Sequence, residues 1–226
     1  MKYKRITLFA GHYGSGKTNI AVNFALNLRK SEKKVAIADL DIVNPYFRTK
    51  DSEKILREND IRLISSDYAN TNVDLPAMPA EAYAITDNPD LYAVIDVGGD
   101  DRGALALGRY IPAIKQENNY EMLFVINKFR PLTRDAKTTI EVMREIELAA
   151  KMKFTGIVNN SNLGDETTKE DVMSSLEYAN KISDLTHLDI YMTSVKNDLY
   201  PQLSENIKNL MPLELFVKQA WSKQED

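Results

Sequence analysis

The segment Gly11-His12-Tyr13-Gly14-Ser15-Gly16-Lys17-Thr18 fits the pattern G-x-x-x-x-G-K-[ST] in full and constrains this chain more than any other stretch. It lies between an apolar run, Ile6 to Ala10, and a helical repeat of Ile20, Ala21, Phe24, Ala25 and Leu28. A strand that turns through glycines into a helix gathers backbone N–H groups around one point, and the helix dipole adds partial positive charge there. Such a turn suits a phosphate. Lys17 is then placed to reach the β- and γ-phosphates of a nucleotide, and the Thr18 hydroxyl to ligate Mg²⁺. The candidate cradle runs from Gly11 through Asn19.

Apolar runs at 5–10, 33–39, 61–65, 91–97, 120–127, 153–159 and 187–193 alternate with helical patterns. Thr133 can cap a helix whose Ile140, Met143 and Ile146 share a face, and Thr168 with Asp171 suits a capping box at the start of another. Strand–helix alternation predicts a doubly wound α/β fold: a mostly parallel sheet of about seven strands with helices on both faces. No repeat, low-complexity block or long linker divides the 226 residues, so one nucleotide-binding domain over 1–226 is expected. Ligands of such sheets bind at the carboxyl ends of the strands, which directs attention to the loops there.

Two of those ends carry acids. Leu91-Tyr92-Ala93-Val94-Ile95 delivers Asp96, which can hold Mg²⁺, and Gly99 three residues on can bring a backbone N–H to the γ-phosphate. Val35-Ala36-Ile37-Ala38 leads to Asp39 and Asp41, one suited to supporting the metal's water shell and the other to orienting an attacking water. Asp100, Asp101 and Arg102 follow the first of these ends as either switch or helix-capping residues.

With these motifs in place the chain resembles the ParA/MinD-like (CobQ/CobB/MinD/ParA) P-loop NTPases, over residues 4 to about 200. The resemblance implies that Asp41 positions the hydrolytic water, that Asp39, Asp41 and Asp96 belong with Thr18 to the magnesium site, and that Asn159, ending a strand, contacts adenine. It also matches Phe124 to Ala136 with the family's strand, Pro-containing loop and helix start. One departure stands out: the family's loop carries a lysine where this chain has His12, and Tyr13 replaces the next glycine. That lysine reaches across an ATP-sandwich dimer, so its absence bears on ATP-dependent homodimerisation more than on binding within one subunit. Arg48 and Arg102 are the candidate substitute cations.

Asn127-Lys128-Phe129-Arg130 opens like the guanine-reading N-K-x-D, but Arg130 has no acceptor to offer guanine, which favours ATP. The expected function is a Mg²⁺-dependent ATP-binding protein and ATPase working as a switch or partner-regulating module. An ATP-dependent kinase or ligase on a small molecule, or an assembly module with negligible turnover, are the alternatives. The polar loop 66–79 is the candidate contact for a protein partner or small-molecule substrate.

Composition narrows the task. The chain has no cysteine and only His12 and His187, which removes disulfides, thiolate zinc sites, cysteine-held iron–sulfur clusters and cysteine nucleophiles. A net charge of −4 disfavours nucleic acid as a partner, and the basic cluster Arg29, Lys30, Lys33 and Lys34 reads as a solvated helix end. The N-terminal apolar run is too short for an export signal, which makes a cytoplasmic location the expectation. Leu213, Phe216, Val217, Ala220 and Trp221 have helical spacing with few cations opposite, so a docked helix is expected rather than a membrane anchor.

Overall fold

In a computed structural model that describes residues 3–32, 34–40, 52–65, 83–99 and 107–216, the apolar runs become neighbouring strands of one sheet. The strands are β1 (Ile6–Ala10), β2 (Val35–Leu40), β3 (Ile61–Ile64), β4 (Tyr92–Val97), β5 (Tyr120–Ile126), β6 (Gly156–Asn159), β7 (Ile190–Lys196) and β8 (Leu210–Leu213). Their order is β3-β2-β4-β1-β5-β6-β7-β8, and every pairing is parallel. The described helices are α1 (Lys17–Arg29), α2 (Glu53–Glu58), α3 (Ala84–Asp87), α4 (Ile111–Glu117), α5 (Ala136–Ala150), α6 (Lys169–Thr186) and α7 (Tyr200–Leu203). The expected doubly wound α/β architecture is therefore present.

Side-chain alternation along each strand feeds two cores. Phe9, Ile37, Val94, Val125 and Val158 face α1, where Ile20, Ala21, Phe24, Ala25 and Leu28 are all buried against them, as their spacing predicts. Leu8, Ala38, Ile95, Phe124 and Ile157 point to the other face and pack with Ile114 of α4, Met143 of α5 and Ile182 of α6. Ile140 and Ile146 join the same core partly buried. At the opposite end from the carboxyl edge, buried Arg5 pairs with Glu117 and donates to the carbonyls of Ile85, Asn88 and Leu91, closing the base of the sheet.

Several local expectations shift. The capping box of α6 forms as the sequence reads: Asp171 N donates to Thr168 Oγ1 (3.2 Å) and Thr168 N to Asp171 Oδ2 (2.9 Å). The cap of α5, however, is Asp135, which accepts from Thr138 N at 3.0 Å. Thr133 instead donates its hydroxyl to Asn127 O at 2.7 Å, tying the preceding turn to β5. His187 ends α6 in a left-handed conformation (φ 58°), so β7 starts three residues later than the apolar run. β8 has no counterpart in the sequence reading. It takes Leu213 into a strand rather than a helix, and its Pro212 is tolerated because β8 lies at the sheet edge. Val217, Ala220 and Trp221 lie outside the described residues, as do Asp41, Arg48, Lys33, the segment 66–79, and Asp100 to Arg102.

Candidate nucleotide-binding site

Strand order reverses around β1: the chain passes from β1 outward to β2 and β3, returns to β4, and continues on the far side with β5. This switch point sets the loop after β1 beside the ends of β4 and β5, where open α/β sheets bind ligands. Gly11 leaves β1 with its α-carbon against the Val125 carbonyl, a contact that a side chain would block. The loop closes on itself through Ser15 N, which donates to His12 O at 3.1 Å.

Gly16 caps α1 in the left-handed region, with φ 86°, where L side chains are strained. A Cβ there would also run into Asn160 Nδ2. Among the described residues no side-chain hydrogen bond caps α1, and its own first turn holds no acid. Lys17 is only 5% exposed, and its ammonium makes one long hydrogen bond, 3.4 Å to His12 O. A buried ammonium has three donors to satisfy, and here the described protein atoms supply a single weak acceptor. Ser15 Oγ is likewise buried with no hydrogen-bond partner among the described residues.

The acids arrive by strand register. Asp39 on β2 pairs directly with Asp96 on β4, and both are buried. They share parity with Ile37 and Val94, so they extend the face that packs on α1, close to its first turn with Thr18. The two acids thus stand one strand spacing apart, about 5 Å at the backbone. Gly99, just beyond β4, lies against the loop: a Cβ there would meet Tyr13 N at 2.8 Å and Lys17 Nζ at 3.0 Å. Loss of side-chain freedom is not the issue at Gly99; space is.

The remaining predicted residues take varied positions. His12 donates its Nδ1–H to Tyr13 O at 2.9 Å, and Tyr13 is 53% exposed on the outer side of the loop. Asn19 Oδ1 accepts from Phe216 N at 3.1 Å, and Asn23 one turn on clamps Glu214 through both its backbone groups (2.9 and 2.8 Å). The first turn of α1 thus also holds the segment after β8. Asn159 is fully buried away from the loop: its Nδ2 donates to Ser175 Oγ of α6 at 2.9 Å, and its Oδ1 accepts from Ser161 Oγ at 2.7 Å.

Two residues that the sequence reading did not select reach the loop. Asn160 donates from Nδ2 to Ser15 O at 2.6 Å and accepts from Ser194 Oγ at 2.6 Å. Its signal was parity, since Asn160 shares the α1-facing side with Val158 while Asn159 shares that of Ile157. Arg130 donates from Nε to Gly14 O at 2.8 Å, and the failed guanine motif was its only mark.

A phosphate loop on a doubly wound parallel sheet, with acids at the ends of two neighbouring strands, defines a P-loop NTPase. The family model for the CobQ/CobB/MinD/ParA nucleotide-binding domain matches residues 6–180, and the chain belongs to that family. No curated protein matches the sequence. Among solved structures it is similar to cell division protein FtsY from Thermotoga maritima (20% identity, 94% of this chain and 66% of that one, TM-score 0.57). It is also similar to FtsY from Mycoplasma mycoides (23% identity, 86% and 62%, TM-score 0.55) and to chloroplast FtsY from Physcomitrella patens (17%, 85% and 59%, TM-score 0.54). At these identities the likeness concerns the fold, and the chain spans about three fifths of the Mycoplasma and Physcomitrella FtsY chains.

Proposed function

We propose that this nucleotide-binding domain is a Mg²⁺-dependent ATPase that works as a switch on an unidentified protein partner or small-molecule substrate. The observation that carries the reading is the buried Lys17 ammonium, which has one weak acceptor among the described residues, at the start of a helix that no described side chain caps. Phosphate oxygens would satisfy both at once.

The donor set suits a hard cation. The Thr18 hydroxyl and the Asp39 and Asp96 carboxylates are all oxygen donors brought to one edge of the sheet. Among the described residues no cluster of three or more acids or histidines would hold a metal unaided. Mg²⁺ is commonly completed by phosphate and water. When bound, Mg²⁺ neutralises charge developing on the transferred phosphoryl group. Lys17 adds positive charge on the same oxygens, and the loop amides orient them without reorganising. Asp41, which the family resemblance marks for orienting water, is part of this proposal though it lies outside the described residues.

Switching follows from Gly99. A Cβ added at Gly99 would meet Tyr13 N at 2.8 Å and Lys17 Nζ at 3.0 Å, so the backbone there lies close enough to the loop for a γ-phosphate at Lys17 to bear on it. ATP is favoured over GTP because Arg130 stands where a guanine-reading carboxylate would, and it is turned onto Gly14 O. An ATP-dependent homodimer belongs to the proposal as well, with position 12 supplying an imidazole in place of lysine. Among the described residues no helix is long and apolar enough to cross a membrane.

The test measures ATP and GTP binding and turnover, with and without Mg²⁺, alongside molecular mass, for the wild type and Asp41→Ala. The expected result is Mg²⁺-dependent ATP turnover that Asp41→Ala abolishes while binding persists. Binding without turnover in the wild type would instead support an assembly module. Turnover that depends on an added small-molecule acceptor would support a kinase or ligase.

A further inference from the structure

We propose that Arg130 is a second cation of the phosphate site, touching the phosphates of a nucleotide held in its own subunit's loop and supplying the positive charge that His12 does not. The proposal rests on the reading that a nucleotide phosphate chain occupies the loop.

Arg130 is held ready by its turn. Asn127, fully buried at the end of β5, accepts at Oδ1 from Phe129 N (3.0 Å) and Asn162 N (3.3 Å). Arg130 N donates to Asn127 O at 3.2 Å, and Thr133 N donates back to Arg130 O at 3.1 Å. Pro131 restricts the residue before it to extended backbone, and Arg130 adopts φ −105°, ψ 141°. The side chain then lies along the loop, with Nε and Cδ 3.6 and 3.8 Å from where a Gly14 Cβ would sit.

What distinguishes Arg130 is its hold on the loop. Arg5, Arg29 and Arg144 are engaged instead by carboxylates, Glu117, Asp60 and Glu147. Arg130 is half-buried and has no carboxylate among the described residues; its side chain makes one hydrogen bond, to a carbonyl of the phosphate loop. A guanidinium carries five donors in a planar fork, so four remain for a ligand. Fork geometry matches phosphate oxygens, and the neighbouring loop is where such oxygens are expected. Lys17 reaches the same loop from the helix side, whereas Arg130 leans on it at Gly14 from the turn after β5.

The experiment titrates ATP, GTP, tripolyphosphate and adenosine into the full chain by calorimetry, for the wild type, Arg130→Ala and Arg130→Lys, with circular dichroism melts to verify folding. Arg130→Ala is expected to weaken ATP, GTP and tripolyphosphate by a similar factor, about tenfold to a hundredfold, and to leave adenosine unchanged. Arg130→Lys keeps the charge but loses the fork and the Nε–H donor to Gly14, and its affinity is expected to fall between those of the wild type and Arg130→Ala. Three results would overturn the proposal: unchanged tripolyphosphate affinity in Arg130→Ala, a loss confined to one base, or an Arg130→Lys protein as weak as Arg130→Ala. The last would reduce Arg130 to a brace for the loop. Wild-type protein that binds neither tripolyphosphate nor nucleotide would overturn the occupancy reading itself, a different failure from a silent Arg130 variant.

Discussion

Asn160→Ala separates the two asparagines that end β6. The substitution removes the bond from Nδ2 to Ser15 O and the one from Ser194 Oγ to Oδ1, both 2.6 Å. Ser194 Oγ keeps a second acceptor, Asn159 O at 3.3 Å, so the hydroxyl is not orphaned. Ser15 O is, because Ser15 is 1% exposed and water cannot take the place of Asn160 without rearrangement. One buried acceptor left unpaired costs about 1–3 kcal/mol, and the vacated side-chain space adds to it, giving about 2–3 kcal/mol in all. In urea this would move the unfolding midpoint by about 1 M at an m-value near 3 kcal/mol/M. The site loses more than stability, since Ser15 O fixes the peptide that leads into the Gly16 cap. Tripolyphosphate affinity is therefore expected to fall by more than about tenfold, the equivalent of 1.4 kcal/mol. Asn159→Ala is the control. It frees Ser175 and Ser161 and should cost similar stability, yet leave phosphate affinity within about threefold. If Asn160→Ala binds like the wild type, or Asn159→Ala loses as much affinity, the assignment of these two side chains by strand parity is wrong.

Gly99→Ala places a methyl carbon 2.8 Å from Tyr13 N and 3.0 Å from Lys17 Nζ, so binding of tripolyphosphate, read by calorimetry, should weaken about tenfold or more, and the melting temperature should fall because the Tyr13 contact is with backbone. An unaltered affinity would mean that the chain after β4 gives way freely. Glu147 offers a pH test. Burial pushes its carboxyl up, but hydrogen bonds from Lys153, Arg144 and Phe154 N outweigh that and hold it below the ordinary 4.5. A carboxyl lowered in the fold stabilises it fully above its unfolded value, and the contribution disappears as pH falls through the folded one. Glu147→Gln should thus cost about 1–3 kcal/mol at neutral pH, with the gap from wild type closing on acidification. Melts from neutral to acidic pH that show a constant or widening gap would contradict this.

The phosphate loop was legible in the sequence because its chemistry is local. Glycines, lysine and threonine at fixed offsets form one short stretch of backbone, and the strand before and helix after are visible as periodicity. Strand-ending acids were legible for the same reason, being polar residues at the close of apolar runs. The capping box of α6 needs only Thr168 and Asp171, three positions apart. Where partners are distant in sequence, the reading failed or stopped. β8 is four residues with a proline, and only an edge beside β7 makes it a strand.

By itself the sequence determined the class of fold, the family and the glycine-rich loop motif, since each depends on spacing along one stretch. Tertiary structure alone decided which groups meet there. It set Asp39 in register with Asp96 across 57 positions of chain, chose Asn160 over Asn159 for the loop, and laid Arg130 on Gly14. The physical reason is that a strand's side chains alternate between faces, and which face a helix covers is fixed by how the whole sheet is ordered. A one-residue difference at a strand end thus decides between a loop-building side chain and a core one, and no local pattern records that choice.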